Sequence, residues 1–146
     1  MKIGTKYHGD VEINNNEVLA FDKGIPGFLD EKQFVLLPLS EDNIFYVLQS
    51  VATPALAFIL SNPFNFFKDY DFKLEDTVVE ELGIETEQDV QVYSILTVHD
   101  PFEKTTSNLQ APIILNVKNY KAKQVILHEE QYSTKHPIFE KTKARG

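Results

Sequence analysis

The apolar residues of this chain fall into many short clusters, alternating or briefly continuous and bounded by turn-forming residues, which is the pattern of a protein built from short strands. The clusters predict strands at 11–13, 18–21, 34–39, 44–51, 57–60, 90–98, 113–117 and 123–127, in a total of eight or nine. Asn14-Asn15-Asn16, whose side chains tolerate positive φ, predicts a hairpin joining the first two segments. Ser40-Glu41-Asp42-Asn43 predicts a second hairpin joining the next pair. So many short antiparallel strands favour closure, so the expected fold is mainly β, a small closed or partly open barrel-like domain with one short lateral helix. That helix is expected at 75–82, where acidic residues occupy the first turn and Gly83 stands at the C′ position. Two turns of helix do not persist alone, so Val78, Val79 and Leu82 are expected to dock it on the sheet.

A hydrophobic share of 42% is ample for one core in a chain of 146 residues. With no internal repeat or flexible linker, a single domain is expected over 1–132, followed by a basic, mobile extension over 133–146 that Ile138 and Phe139 can tack down. The absence of cysteine excludes disulfides and thiolate metal sites and fits a reducing compartment. The N-terminus has no apolar signal region and no apolar run approaches the ~20 residues that span a bilayer, so a cytoplasmic protein without membrane contact is expected.

Charge is distributed unevenly. Residues 1–116 carry seven Lys against nineteen acidic residues, a net −12, whereas residues 117–146 carry seven basic against three acidic residues, a net +4. Such a body repels a phosphate backbone and attracts basic protein surfaces, which disfavours direct binding of nucleic acid. Its densest feature is the run Asp69, Asp71, Glu75, Asp76, Glu80, Glu81, Glu85, Glu87 and Asp89, opposed only by Lys73. The run reads either as a solvated face or as a surface that steers a basic partner. It lacks the spacing of a calcium loop.

Catalytic and metal-binding chemistry finds little footing. His128-Glu129-Glu130 resembles the start of a zincin motif, but Tyr132 stands where the second histidine would be needed. His99-Asp100 offers a base and its orienter without a nucleophile elbow or phosphate loop. No enzyme activity, metal or cofactor is therefore expected. Phe64, Phe66, Phe67, Tyr70 and Phe72 form an aromatic cluster that serves either the core or, where exposed, an interface. A barrel enclosing a small ligand in an aromatic-lined pocket is the alternative function.

Several phrases carry identity rather than chemistry: Gly24-Ile25-Pro26-Gly27-Phe28, Leu48-Gln49-Ser50, Asn108-Leu109-Gln110-Ala111-Pro112-Ile113 with Asn116, and Ala122-Lys123-Gln124-Val125-Ile126-Leu127. The first reads as a type II turn that either tucks Ile25 and Phe28 into the core or presents them. In order and spacing the phrases resemble the FliW family of flagellar assembly factors, from Phe21 to Tyr132 and including Pro63 and Asp69-Tyr70. The resemblance implies a barrel-like cytoplasmic regulator that binds flagellin and, when released, binds and antagonises the translational repressor CsrA, relieving repression of flagellin messenger RNA. A monomer is favoured. Two candidate binding surfaces follow: the acidic segment with Glu75, Asp76, Glu80 and Glu81, and a polar set, Gln49, Ser50, Asn108 and Asn116, that interrupts apolar strands or else satisfies backbone groups.

Overall fold

The computed structural model describes residues 1–39, 41–42 and 44–139. Strands β1 (Lys2–Gly4) and β2 (Asp10–Glu12) make a separate two-stranded sheet. The main sheet begins with β3 (Leu19–Ala20), β4 (Gln33–Pro38), β5 (Phe45–Ser50) and β6 (Ala57–Ser61), each antiparallel to its predecessor. After the helix α1 (Asp76–Leu82) comes β7 (Val90–Thr97), whose middle pairs with β6 and whose start pairs with β9 (Ile113–Asn116). Its end pairs with the two-residue β8 (Thr106–Ser107). The sheet finishes with β10 (Ala122–Gln124) against β9, and β11 (His136–Pro137) pairs with β8.

The expected barrel-like β domain with a lateral helix is therefore found, in its partly open form. The end strands β3 and β10 meet through one bridge between Ala20 and Lys121, with the Ala20 N–H donating to the Tyr120 carbonyl at 2.8 Å, and the sheet is not closed. The described strands number eleven rather than eight or nine because β1, β8 and β11 hold at most one apolar residue, Ile3 in β1, and so leave no apolar cluster in the sequence.

Curling the sheet sorts its side chains by parity. Phe34, Leu48, Leu60, Ile113 and Leu115 point inward with Leu19 and Phe21, and the Phe21 and Phe34 rings pack edge-on at 5.3 Å. The opposite faces are covered as well. Val35 packs under β1 and β2 with Ile3 and Ile13, and Ile114 packs with Val78 and Leu82 of α1 and with Tyr70. Burial on both sides explains why β9 reads Ile-Ile-Leu without alternation.

One expectation is corrected. Segments 11–13 and 18–21 do not pair: β2 folds back on β1, and β3 pairs with β4. The Asn14 N–H donates to the Glu17 carboxylate at 2.9 Å, and the Glu17 N–H to the Asn14 carbonyl at 2.9 Å, which closes a 3₁₀ turn over Asn15–Glu17 and redirects the chain. Asn followed three residues later by Glu is a helix-start signal that outweighs the turn tendency of the three asparagines. The second hairpin forms as expected between β4 and β5, with Phe34 opposite Ser50; Ser40 and Asn43 of its turn lie outside the described residues. Of the extension at 133–146, β11 is strand-paired, Ile138 is buried and the Phe139 ring meets Phe66 and Phe102. Residues 140–146 lie outside the described residues.

The turn at Ile25-Pro26-Gly27-Phe28 has Gly27 at φ 89° and a Phe28 N–H to Ile25 carbonyl bond of 2.6 Å, as a type II turn requires. It buries Ile25 and leaves Phe28 42% exposed, edge-on to Phe58, so the two residues part company. Gly24 before it has φ 71°, and a Cβ there would lie 2.4 Å from the Leu29 carbonyl oxygen. Both positive φ and contact with backbone forbid a side chain, so Gly24→Ala should cost about 2 kcal/mol or more, read as a lowered midpoint in chemical denaturation.

Candidate functional site

Helix α1 forms where a short amphipathic segment can bury one side. Val78 and Leu82 face the sheet, Val79 is half-buried, and Glu75, Asp76 and Glu80 face solvent. Gly83 ends the helix at φ 65°, and its N–H returns to the Glu80 carbonyl at 3.2 Å. The last carbonyls are held from below: Asn116 Nδ2 donates to the Leu82 carbonyl at 2.8 Å and the Gly83 carbonyl at 3.2 Å, and Asn119 Nδ2 to Leu82 at 2.9 Å.

The nine carboxylates of the acidic run separate into three kinds. Asp69, Asp71, Glu75, Asp76, Glu80, Glu85 and Glu87 are exposed. Glu81 reaches two lysines, Lys23 beyond β3 and Lys123 in β10, at 2.7 Å each, and thus ties α1 across the opening between the end strands. Hydrogen bonds from Lys123 and then Lys23 hold its carboxyl down at about 2. Asp89 is buried. Burial opposes its charge, but the N–H groups of Thr86 and Glu85 and the ammonium of Lys118 outweigh that cost and keep its carboxyl below the usual range.

Beside α1 runs an open groove of about 660 Å³, with Phe72, Leu74, Val79, Ile84, Val90 and Val92 on its walls and Asp71, Glu85 and Glu87 at its rim. Phe64, 41% exposed, stands at one side. Sequence reasoning named the carboxylates and the aromatic residues but not this groove, because Leu74, Ile84 and Val90 come from separate turns and a strand start. A second open groove, about 740 Å³, lies between the 65–70 loop and the 131–139 segment. Tyr70 is the buried member of the aromatic cluster; its hydroxyl donates to the Leu109 carbonyl at 2.7 Å, and burial pushes its pKa up.

The polar set does not form one surface. Gln49 and Ser50 are 0% exposed and Asn116 is 1% exposed. Gln49 Oε1 accepts from the Lys6 N–H at 3.0 Å while its Nε2 donates to the carbonyls of Ser50, Pro54 and Leu56. Ser50 Oγ donates to Glu31 at 2.6 Å, where Thr53 Oγ1 also donates, and the two hydroxyls hold the Glu31 carboxyl low. Half-buried Asn108 accepts from the N–H groups of Gln110 and Ala111 at 3.1 Å each. In all four positions the amide or hydroxyl fixes a loop or helix end.

His99 and Asp100 are exposed on the loop after β7. Among the described residues no group of three His, Asp or Glu side chains is placed to hold a metal ion, and no helix is long and apolar enough to cross a membrane. The arrangement defines a class: a small, partly open β-barrel whose distinguishing surface is an acidic helix beside an apolar groove. The FliW protein family profile matches residues 2–138. The chain is similar to the flagellar assembly factor FliW of Geobacillus kaustophilus (strain HTA426), with 58% identity over 139 residues covering 95% of this chain and 96% of the relative. The corresponding figures for the flagellar assembly factor FliW of Bacillus subtilis (strain 168) are 57% over 138 residues, 94% and 96%. A crystal structure of the flagellar assembly factor FliW superposes with a TM-score of 0.92 at 54% identity, covering 97% of this chain and 99% of that one. The chain belongs to the FliW family.

Two outcomes are expected. Glu81 has a folded pKa of about 2 against an ordinary 4.5, so its stabilisation is present above about pH 4.5 and is lost as pH falls toward 2. Glu81→Gln should therefore flatten the acid limb of a stability-against-pH curve over that interval. Gln49→Ala and Asn116→Ala should each lower stability by about 1–3 kcal/mol in denaturant titrations, because each removes a buried amide that makes several hydrogen bonds to the backbone.

Proposed function

We propose that this protein is a cytoplasmic flagellar assembly factor that binds flagellin and, once released, binds and antagonises the RNA-binding repressor CsrA. Family membership supports the assembly role. The observation that carries the finer reading is the concentration of seven exposed carboxylates on and around α1, a field that favours a basic, RNA-binding protein and opposes RNA itself. Glu75, Asp76 and Glu80 are its outward members, whereas the charge of Glu81 is engaged by two lysines. Action without catalysis, cofactor or direct nucleic-acid contact fits this surface, and a monomer is favoured.

A small ligand inside the barrel has less support. The interior is filled by Phe21, Phe34, Leu48, Leu60 and Ile113, and both larger hollows are open grooves on the outside.

Calorimetric titration with purified flagellin and with purified CsrA, each repeated in the presence of the other, tests the reading. Binding of both with mutual exclusion is expected; binding of neither at low salt overturns it. Reversing Glu75, Asp76 and Glu80 to Lys together should slow association with CsrA about tenfold and weaken its salt dependence, with a modest fall in melting temperature because Asp76 stands in the first turn of α1. Unchanged association kinetics would remove the acidic face from the site.

A further inference from the structure

The groove beside α1 combines two properties on one exposed surface. Its floor is apolar and half-covered: Phe72, Leu74, Ile84, Val90 and Val92 each pack on the buried cluster of Tyr70, Val78, Leu82 and Ile114 with one side and line the groove with the other. Its rim is predominantly negative, with Asp71, Glu85 and Glu87 exposed at the edge against Lys73, the one cation among its lining residues. No rim carboxylate makes an ion pair among the described residues. The carboxylates that the fold itself requires are others, Glu81 and Asp89, and these are paired with lysines.

We propose that this groove is the docking site for an amphipathic segment of a protein partner that places a row of apolar side chains on the floor and Lys or Arg side chains over the rim. The inference rests on the reading of the acidic face as a partner surface and adds the contact that supplies affinity. A volume of about 660 Å³ accommodates several side chains rather than a whole domain. The floor supplies the buried apolar contact that holds an interface, and the rim selects basic flanks and repels acidic ones. Of the lining residues, Val79 is the natural probe. It is half-buried on α1, its backbone carbonyl accepts from Gly83 and Ile84 whatever its side chain, and a lysine there would reach solvent while placing a cation over the floor.

The test uses the whole chain and two synthetic peptides of equal length, one an amphipathic helix of Lys and Leu and the other its Glu and Leu counterpart, titrated by fluorescence anisotropy at low and high salt. The Lys/Leu peptide should bind and the Glu/Leu peptide should not. Val79→Lys should weaken binding about tenfold, and Phe64→Ala, at a partly exposed ring, about threefold, with each variant still folded at the assay temperature by circular dichroism. Glu85→Gln with Glu87→Gln should weaken binding about threefold and flatten the salt dependence. Phe139→Ala, in the other groove, should leave it unchanged. Equal binding of both peptides, or full affinity in both Val79→Lys and Phe64→Ala, overturns the proposal. Titrating the same variants with CsrA separates the two ideas. If wild type binds CsrA and the groove variants bind it equally well, the groove fails and the partner reading stands. If wild type fails to bind CsrA yet discriminates the peptides through Val79, the partner reading fails and the groove stands.

Discussion

The amide of Asn116 holds the acidic helix where it is. A seven-residue helix has too few internal hydrogen bonds to repay its own nucleation, so α1 exists only as a docked element. Docking needs both an apolar contact and a partner for the last carbonyls. Val78 and Leu82 supply the first against Ile114, and Asn116 and Asn119 supply the second from the end of β9 and the turn beyond it. Glu81 adds a third constraint by reaching Lys23 and Lys123 across the gap between β3 and β10. The helix thereby bridges the place where the barrel fails to close, and the exposed carboxylates and the groove take their positions from that attachment.

This arrangement also explains how a partly open sheet avoids leaving wet edges on both sides of its seam. The single Ala20–Lys121 bridge holds the end strands together at one point, and past β10 the N–H groups of Val125 and Leu127 donate to the carbonyls of Pro112 and Gln110. Both edges are short, which limits unwanted pairing. Lysines flank the seam, so the negative helix that lies across it completes a local neutralisation instead of adding to the repulsion of the acidic body. Basic residues near the end of the chain in sequence thus serve the fold: Lys118 pairs with Asp89 and Lys123 with Glu81.

How far this was legible in the sequence depended on the range of the interaction. Period and turn chemistry are local, and they located β4, β5, β6, β7, β9 and α1, as well as the stop at Gly83 and the turn at Pro26-Gly27. The hairpin expected around Asn14 to Asn16 failed for a local reason too, since the capping signal through Glu17 competed with turn propensity and won. What the sequence hid was long-range. Gln49, Ser50 and Asn116 interrupt apolar strands in a way that suggests a polar surface, but their partners, among them Lys6, Glu31 and Leu82, lie far along the chain or around a turn. The charge run was visible as composition; only the fold separates the seven exposed carboxylates from Glu81 and Asp89, which it needs for itself.

That separation bears on what the acidic face is for. A structural carboxylate in this molecule has a cation, N–H groups or hydroxyls within bonding distance, and its pKa is pulled down accordingly, as at Glu81, Asp89 and Glu31. Like charges crowded without such partners repel one another and lower stability, more so at low ionic strength. Seven exposed carboxylates on one short stretch therefore do not repay the fold through contacts within it. Solubility alone would be met as well by charges of mixed sign spread over the surface. The role proposed for a strongly negative cluster beside a half-covered apolar groove is one that dispersed charges lack: it would orient a basic partner before contact, and the groove would then retain what the field had brought.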